Sequence, residues 1–150
     1  MKGLYYEDFK VGDKFITPAK TITQEAITTM VSLGEFTVPL FTDEEYARTT
    51  IYKGLIAPGR MTLFMMGGLS EQLGIFHETV VGLVGIDKVR MKNPLRAGDT
   101  IKVEMEITDM RETRNPRHGI VVHKEICLNQ RGEILLGDEV THLMMRKPNA

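Results

Sequence analysis

The most apolar stretch of the chain, Lys53 to Gly74, predicts a buried central helix. It begins with a turn-rich segment, Gly54 to Gly59, which contains Pro58. A helix that is apolar on nearly every side must be covered all round, and in 150 residues a sheet wrapped around it does this most economically. The apolar positions that carry the prediction are Met61, Leu63, Phe64, Met65 and Met66.

Two shorter helices are predicted upstream of the central one. Apolar residues recur at helical spacing over Gln24–Leu33, with Thr23 placed to cap the first turn and Gly34 placed as the stop. A second short helix is predicted to begin at Thr42, because Glu45 follows it in capping-box register.

The second half of the chain alternates between apolar and polar residues, which is typical of strands. Together with short extended segments between Tyr5 and Thr23, this pattern predicts an α+β fold in which an antiparallel sheet packs one face against the central helix. Neither a repeat nor a linker interrupts it, so residues 1–150 are expected to form one domain. The predicted strands are Val80–Met91, Thr100–Asp109, Gly119–Asn129 and Ile134–Arg146.

Composition narrows the function classes. A formal net charge of -1 argues against nucleic-acid binding, which would require a strongly basic chain. Cys127 is the one cysteine, so it is interpreted as a small core residue and an intramolecular disulfide is excluded. The sequence lacks a long uninterrupted apolar run and a signal-peptide pattern, so we expect a cytoplasmic protein without a membrane segment.

Chemistry is first suggested by the start of the central helix. Gly59, Arg60 and Met61 would present the unpaired N–H groups of a helix N-terminus. Such groups bind carbonyl oxygens or anions, because the positive end of the helix dipole lies there.

Four sequence segments together resemble the MaoC-like dehydratase family, which includes the (R)-specific enoyl-CoA hydratases. The resemblance covers most of the chain and implies the hotdog fold, an antiparallel sheet wrapped around a central helix. It also implies an acyl-CoA or acyl-carrier thioester as substrate or ligand, and no further cofactor. The best-matching segments are Pro39-Leu40, Thr42 to Ala47, Gly54 to Gly59 and Arg96 to Thr100.

The family hydrates an enoyl thioester with a carboxylate and an imidazole, while helix N-terminal amides polarise the thioester oxygen. The resemblance places Gly59, with Arg60 or Met61, at that oxygen. Phe41 stands where the family has its histidine, and phenylalanine cannot transfer a proton. Glu35 replaces the aspartate with one extra residue before the proline, so it corresponds only loosely to the catalytic acid. Two further departures are Val38 at the family's asparagine position and Pro58 at a frequent histidine position.

Three functions remain open at this point. The first is an enoyl-CoA hydratase or dehydratase with Glu35 as a lone base acting through water. The second is a non-enzymatic acyl-thioester binder or a structural subunit of a hydratase assembly, which Phe41 fits most naturally. The third is a thioesterase, for which Glu71 is the one carboxylate on the central helix.

The four histidines offer no evident replacement for the missing imidazole. His77 and His118 are expected in solvated positions. His123 and His142 lie on predicted strands of one hairpin, where a histidine is more often packed and hydrogen-bonded than catalytic. Two strand histidines without a third ligand make a poor metal site, so no metal is expected.

The predicted ligand site lies at a subunit interface. Hotdog sheets have exposed edges, so we expect a homodimer or a multiple of dimers, with Gly67 and Gly68 allowing another backbone to approach. An acyl tunnel is expected there. Its predicted lining is Met61, Met65 and Phe41, with Pro39 also assigned to substrate binding, and the coenzyme A phosphates would meet Arg90, Lys92 and Arg96.

Overall fold

The computed structural model describes residues 2–149. Its helical elements begin with a single 3₁₀ turn, followed by four α-helices. The 3₁₀ turn is Tyr6–Asp8, and the helices are α1 (Gln24–Leu33), α2 (Pro39–Thr42), α3 (Glu44–Arg48) and α4 (Gly59–Glu71). The strands are β1 (Lys14–Ile16), β2 (Lys20–Thr21), β3 (Val80–Met91), β4 (Thr100–Glu112), β5 (His118–Leu128) and β6 (Ile134–Met145).

All strands pair antiparallel, in the order β1-β4-β5-β6-β3, and β2 pairs with the first two residues of β4. The predicted α+β arrangement is therefore confirmed. The prediction of a solvated position for His118 is wrong, because this residue is half-buried and is the first residue of β5.

The helix α4 packs one side against the sheet and leaves the other side open. Its buried residues are Met61, Thr62, Met66, Leu69 and Ser70. The prediction that α4 is covered all round is wrong for a single chain, since Phe64 is 64% exposed. Gly67 and Gly68 are also exposed, and a Cβ added at either would have nothing within 4 Å. The predicted close approach of another backbone to these glycines is therefore not seen within residues 2–149.

The segment between α1 and α4 holds two short helices. Pro39 opens α2 at its first position, where its missing N–H costs no hydrogen bond. The cap of α3 is Asp43, whose carboxylate accepts the Tyr46 N–H at 3.2 Å. The predicted start at Thr42 is two residues early for α3, which begins at Glu44, and Thr42 is the last residue of α2.

Candidate functional site

The loop that leads into α4 is fixed by two hydrogen bonds to the segment between β3 and β4. The Ala57 N–H donates to the Leu95 carbonyl at 2.8 Å. The Arg96 guanidinium donates through Nη2 to the Tyr52 carbonyl at 2.6 Å. These contacts set the position of the first turn of α4.

Arg96 is itself held by the buried carboxylate of Asp99. Asp99 Oδ2 accepts the Arg96 backbone N–H at 2.9 Å, and Asp99 Oδ1 accepts Gln130 Nε2 at 2.9 Å. Gly98 between them has φ +90°, a conformation that glycine adopts without steric cost. The Arg-Ala-Gly-Asp segment of the family resemblance thus orders the loop before α4.

The first turn of α4 presents two amide groups. Gly59 and Arg60 are the first helical residues, so their N–H groups have no intrahelical acceptor. The Met61 N–H instead donates to the Pro58 carbonyl at 2.9 Å, which removes Met61 as a donor. A Cβ at position 59 would lie 3.1 Å from the Met91 methyl, so glycine keeps this approach open.

A cavity of about 300 Å³ lies beside this first turn and is mostly apolar. We name it the α4 cavity. It contains both Gly59 and Phe41, which the resemblance had placed at one site. The residues lining it include neither an imidazole nor a carboxylate. They are Leu40, Phe41, Tyr52, Ile56, Ala57, Gly59, Thr62, Met91, Lys92, Asn93, Pro94, Leu95, Leu135 and Leu136.

Phe41 is packed rather than free. Its ring meets the Phe36 ring edge to face, with centroids 5.9 Å apart, and both rings pack against the main core. Such a pair favours an apolar site and does not replace the imidazole that the family uses.

Glu35 lies at the C-terminus of α1 with its side chain exposed. Its φ of +57° is left-handed, and hydrogen bonds from Glu35 to Ser32 (3.2 Å) and from Phe36 to Val31 (3.0 Å) form a Schellman motif. Gly34 caps the C-terminus of α1, which confirms it as the predicted stop, but its backbone is right-handed and the left-handed residue of the motif is Glu35. The structure does not place Glu35 among the residues lining the α4 cavity.

The other predicted binding residues are dispersed. Met61 is only 2% exposed and belongs to the core, and Met65 lines a separate groove beside Pro18 and Lys20. The structure therefore does not bring these methionines into one cavity with Phe41. Pro39 is exposed on α2 and does not line the cavity.

The three basic candidates also separate. Lys92 lines the α4 cavity. Arg96 is occupied by the Tyr52 carbonyl. Arg90 lies in another depression, with Lys88 and Lys124.

A second group of polar side chains lies buried between α4 and the sheet. His123 is 1% exposed, and its Nε2 lies 3.2 Å from Glu125 Oε2. The Ser70 hydroxyl of α4 donates to the same oxygen at 3.3 Å. The His142 ring stacks on His123 with centroids 5.5 Å apart, and Phe76 contacts both imidazoles. The packed, hydrogen-bonded state predicted for the strand histidine His123 is confirmed, and His142 is half-buried as expected.

Asp138 on β6 lies directly opposite Glu125 on β5. Burial, as the larger cause, and the neighbouring Glu125 charge raise the pKa of Asp138 to about 8, so this pair of carboxyls holds a proton near neutral pH. Burial also raises the pKa of Glu125. In contrast, burial lowers the pKa of His123 and that of His142 to about 4, so both imidazoles are neutral.

Sequence reasoning missed the two carboxyls of this cluster, although a signal existed. Glu125 lies two residues from His123 and from Cys127, and Asp138 lies two residues from Leu136 and from Val140. Side chains two residues apart on a strand share a face, so both acids had to lie on the apolar face.

Two further findings concern residues 2–149. No group of three or more His, Cys, Asp or Glu side chains in this part of the chain is arranged to hold a metal ion. None of the helices described there combines the length and apolar character that crossing a membrane would require.

Comparison with known proteins places this geometry in a family. The model for the MaoC like domain matches residues 8–127. The (R)-specific enoyl-CoA hydratase of Rhodospirillum rubrum is 28% identical over 137 residues, which are 91% of this chain and 89% of that protein.

Solved structures agree in the backbone. A MaoC-like dehydratase from Rhodospirillum rubrum is 30% identical with a TM-score of 0.86, over 98% of this chain and 100% of that one. A Mycobacterium tuberculosis protein with a double hotdog fold has a TM-score of 0.85 at 17% identity, over 99% of this chain and 46% of that one. The latter likeness concerns the fold alone, and the fold is the hotdog fold. With the family model matching most of its length, the chain belongs to the MaoC-like domain family.

Proposed function

We propose that the protein binds an acyl thioester at the first turn of α4, with the acyl group in the α4 cavity. The observation that carries this is the shared cavity of Gly59 and Phe41, next to unpaired helix amides. An amide group at a helix N-terminus suits a thioester oxygen, and the apolar walls suit an acyl chain. The residues lining the cavity include no acid–base pair, so we propose binding, and not catalysis, as the primary function of this site.

We further propose that the binding unit is a homodimer paired along β3, or a multiple of it. β3 is an edge strand, and Val81, Leu83 and Val84 are between 42% and 59% exposed. An apolar edge of this kind is a site for strand pairing with another chain. Phe64 on the open side of α4 adds apolar surface that a second copy would cover.

Hydration of the enoyl thioester is the second candidate function. It is favoured by the relative named (R)-specific enoyl-CoA hydratase, which is 28% identical over 91% of this chain. In this mechanism Glu35 would act as a lone base that takes a proton from the water attacking C3 of the enoyl group. The C2–C3 double bond becomes a single bond, and the protonated Glu35 returns its proton to C2, so that water is added overall.

An assay of crotonyl-CoA hydration, followed by loss of enoyl absorbance, separates the two functions. The binding function predicts no hydration by the unmodified protein, together with a higher melting temperature in butyryl-CoA. Hydration that disappears in Glu35→Gln would instead establish the hydratase. A Phe41→His variant supplies the matched test, since the hydratase reading expects the restored imidazole to raise the rate.

Neither hydration nor stabilisation by butyryl-CoA would contradict both candidates. Glu71, the carboxylate considered for a thioesterase, is exposed at the last turn of α4 and does not line the α4 cavity. No observation favours thioester hydrolysis over the two functions above.

A further inference from the structure

A depression of about 400 Å³ lies on the face of the sheet that points away from α4. We name it the outer depression. Its place follows from strand alternation: Glu125 of β5 is hydrogen-bonded to Ser70 of α4, so its neighbour Lys124 points to the opposite face. The residues that form the depression on this face are Lys88, Arg90, Lys124, Ile126, Gly137 and Glu139.

An irregularity in β3 brings two cations to one side of the outer depression. Asp87 pairs with Glu139 of β6. Three positions later Arg90 pairs with Gly137, which is only two positions from Glu139, so β3 carries one extra residue here. Lys88 lies in this bulge with a φ of +54°. A bulge re-aims the side chains around it, and here both Lys88 and Arg90 line the depression.

Gly137 keeps the centre of the depression open. It lies opposite Arg90 on one neighbouring strand and opposite Ile126 on the other. Because β3 and β5 are two strand spacings apart, about 10 Å, the long side chains of Arg90 and Lys124 can meet one group above this glycine. A Cβ at position 137 would lie 3.7 Å from Ile126 Cγ2, an ordinary contact, so a side chain is tolerated there and would occupy this space.

Two of the three cations are not paired with a carboxylate. Lys88 Nζ lies 3.5 Å from Glu139 Oε2. Within residues 2–149, neither Arg90 nor Lys124 has a carboxylate oxygen within 4 Å. The Arg90 guanidinium donates one N–H to the Val89 carbonyl at 2.9 Å, which leaves four N–H groups for another acceptor.

The other carboxyls nearby do not offset this charge. Glu125 and Asp138 also border the depression, but both are 5% exposed or less, and Glu125 is bonded to Ser70 on the other face. Glu106 and Asp87, at adjoining strand positions, do not line it. Three cations and one carboxylate therefore face this space, which leaves a net charge of two in a chain whose formal charge is -1.

We infer that the outer depression binds the phosphate group of a small molecule, held between Arg90 and Lys124. A phosphate monoester carries roughly 1.5 to 2 negative charges at pH 7, which matches the net charge of the depression. The planar guanidinium of Arg90 suits this group, because it donates two parallel N–H groups to two oxygens of one phosphate.

This inference does not rest on the proposed thioester site. Met91, the neighbour of Arg90, lines the α4 cavity. Successive side chains on a strand point to opposite faces, so the two sites lie on opposite sides of the sheet. Each site can therefore be occupied and tested separately.

Titration with inorganic phosphate tests the site, with the Arg90 side-chain N–H and Lys124 backbone N–H signals in ¹H–¹⁵N NMR as the readout. We expect saturable shifts with a dissociation constant on the order of millimolar, because a free ion makes few contacts. Sodium chloride at the same ionic strength should not cause these shifts. Acetate, with one negative charge, should bind more weakly than phosphate.

Variants on the outer face supply matched tests. Arg90→Gln and Lys124→Gln change exposed side chains, so the fold is kept, and each should weaken phosphate binding about fivefold or more. Gly137→Val should abolish binding by filling the depression, and a β-branched residue suits a strand. Lys14→Gln is the control, since Lys14 lines a neighbouring depression on the sheet and should not affect phosphate binding.

One equivalent of butyryl-CoA separates a free phosphorylated ligand from the phosphates of coenzyme A. It should leave the Arg90 and Lys124 signals unshifted, because the thioester site lies on the other face of the sheet. Shifts at one equivalent that butyryl-pantetheine does not cause would assign the depression to the nucleotide of the thioester, and would overturn a separate site.

Two further results would overturn the inference. Shifts that do not saturate and that appear at basic residues over the whole surface would mean an adventitious ion only. Phosphate affinity that is unchanged in both Arg90→Gln and Gly137→Val would place the ion elsewhere.

Discussion

Among the three basic residues predicted to meet coenzyme A, Lys92 alone lines the α4 cavity. Its exposed ammonium is free to pair with a phosphate outside the apolar pocket. The Arg96 guanidinium, in contrast, holds the loop before α4 through the Tyr52 carbonyl. Which basic residue can meet a phosphate therefore depends on whether its side chain is already hydrogen-bonded within the protein, and charge alone does not decide it.

Lys92→Ala should weaken acyl-CoA binding by a factor of about 1.4 to 5, because an exposed charge pair contributes roughly 0.2–1 kcal/mol. Binding of the matching acyl-pantetheine, which lacks the nucleotide phosphates, should not change. Calorimetric titration of both ligands measures the difference. Arg90→Ala is the control, since Arg90 lies in another depression. Equal losses for the two ligands would argue against a phosphate contact.

The buried cluster makes stability depend on pH in two opposite ways. Asp138 has a folded pKa of about 8 against an ordinary 3.8, so its contribution to the free energy of unfolding is lost as pH rises toward 8. His123 and His142 have folded pKa values of about 4 against 6.5, so their contribution is lost as pH falls from 6.5 to 4. The titratable groups facing one another are His123, Glu125 and Cys127 from β5, and Asp138 and His142 from β6.

Asp138→Asn should flatten the alkaline side of this profile. Uptake of one proton by the folded state corresponds to ~1.4 kcal/mol of unfolding free energy per pH unit. Urea unfolding at pH values of roughly 6.5, 7.2 and 8 measures how steeply the free energy of unfolding changes with pH. Glu139→Gln is the control, because Glu139 is its half-exposed neighbour. Equal slopes in the wild type and Asp138→Asn would show that Asp138 holds no proton.

Residue identities were readable from the sequence, but some residue environments were not. The absence of an imidazole at Phe41 needed no structure. The left-handed turn at Glu35 did, because it depends on the Phe36 ring packing on the core and lying against Gly34, where a Cβ would be 2.6 Å from that ring. The acid pair escaped prediction because cross-strand register places Glu125 opposite Asp138, and spacing along one strand does not reveal register.

At the scale of elements, β3 and α4 are the two that a single chain leaves incomplete. β3 pairs with β6 on one side only, with three register shifts along the pair. The open side of α4 carries Phe64, Gly67 and Gly68. The sequence predicted a helix that is apolar all round, but it could not say that one side of this helix stays exposed in the single chain.

A charge on the free edge should separate the proposed dimer. Val84→Lys places an ammonium on β3, where Val84 is 59% exposed, and a lysine on an edge strand opposes pairing. Light scattering at micromolar concentration should give twice the chain mass for the wild type and the chain mass for the variant. Val11→Lys is the control, since Val11 is equally exposed in the N-terminal turn. A wild-type monomer would contradict the dimer.

At the scale of the whole molecule, periodicity predicted the strands closely. β3 matches its predicted bounds, and the other long strands differ by a few residues at their ends. Hydrophobic alternation is set by the sheet itself, which explains this accuracy. The cavities lie between elements distant in sequence, such as α2 and β6 at the α4 cavity, and no local pattern predicts their lining.

The central claim is that an acyl thioester binds at the first turn of α4, and titration calorimetry with butyryl-CoA tests it most directly. The wild type should bind saturably. Gly59→Ala should bind about tenfold more weakly, or about 1.4 kcal/mol, because the added Cβ would lie 3.1 Å from the Met91 methyl and would narrow the approach to the Gly59 N–H. Gly68→Ala, on the same helix with open space around it, should bind as the wild type does. No saturable binding by the wild type, or equal binding by Gly59→Ala, would contradict the account.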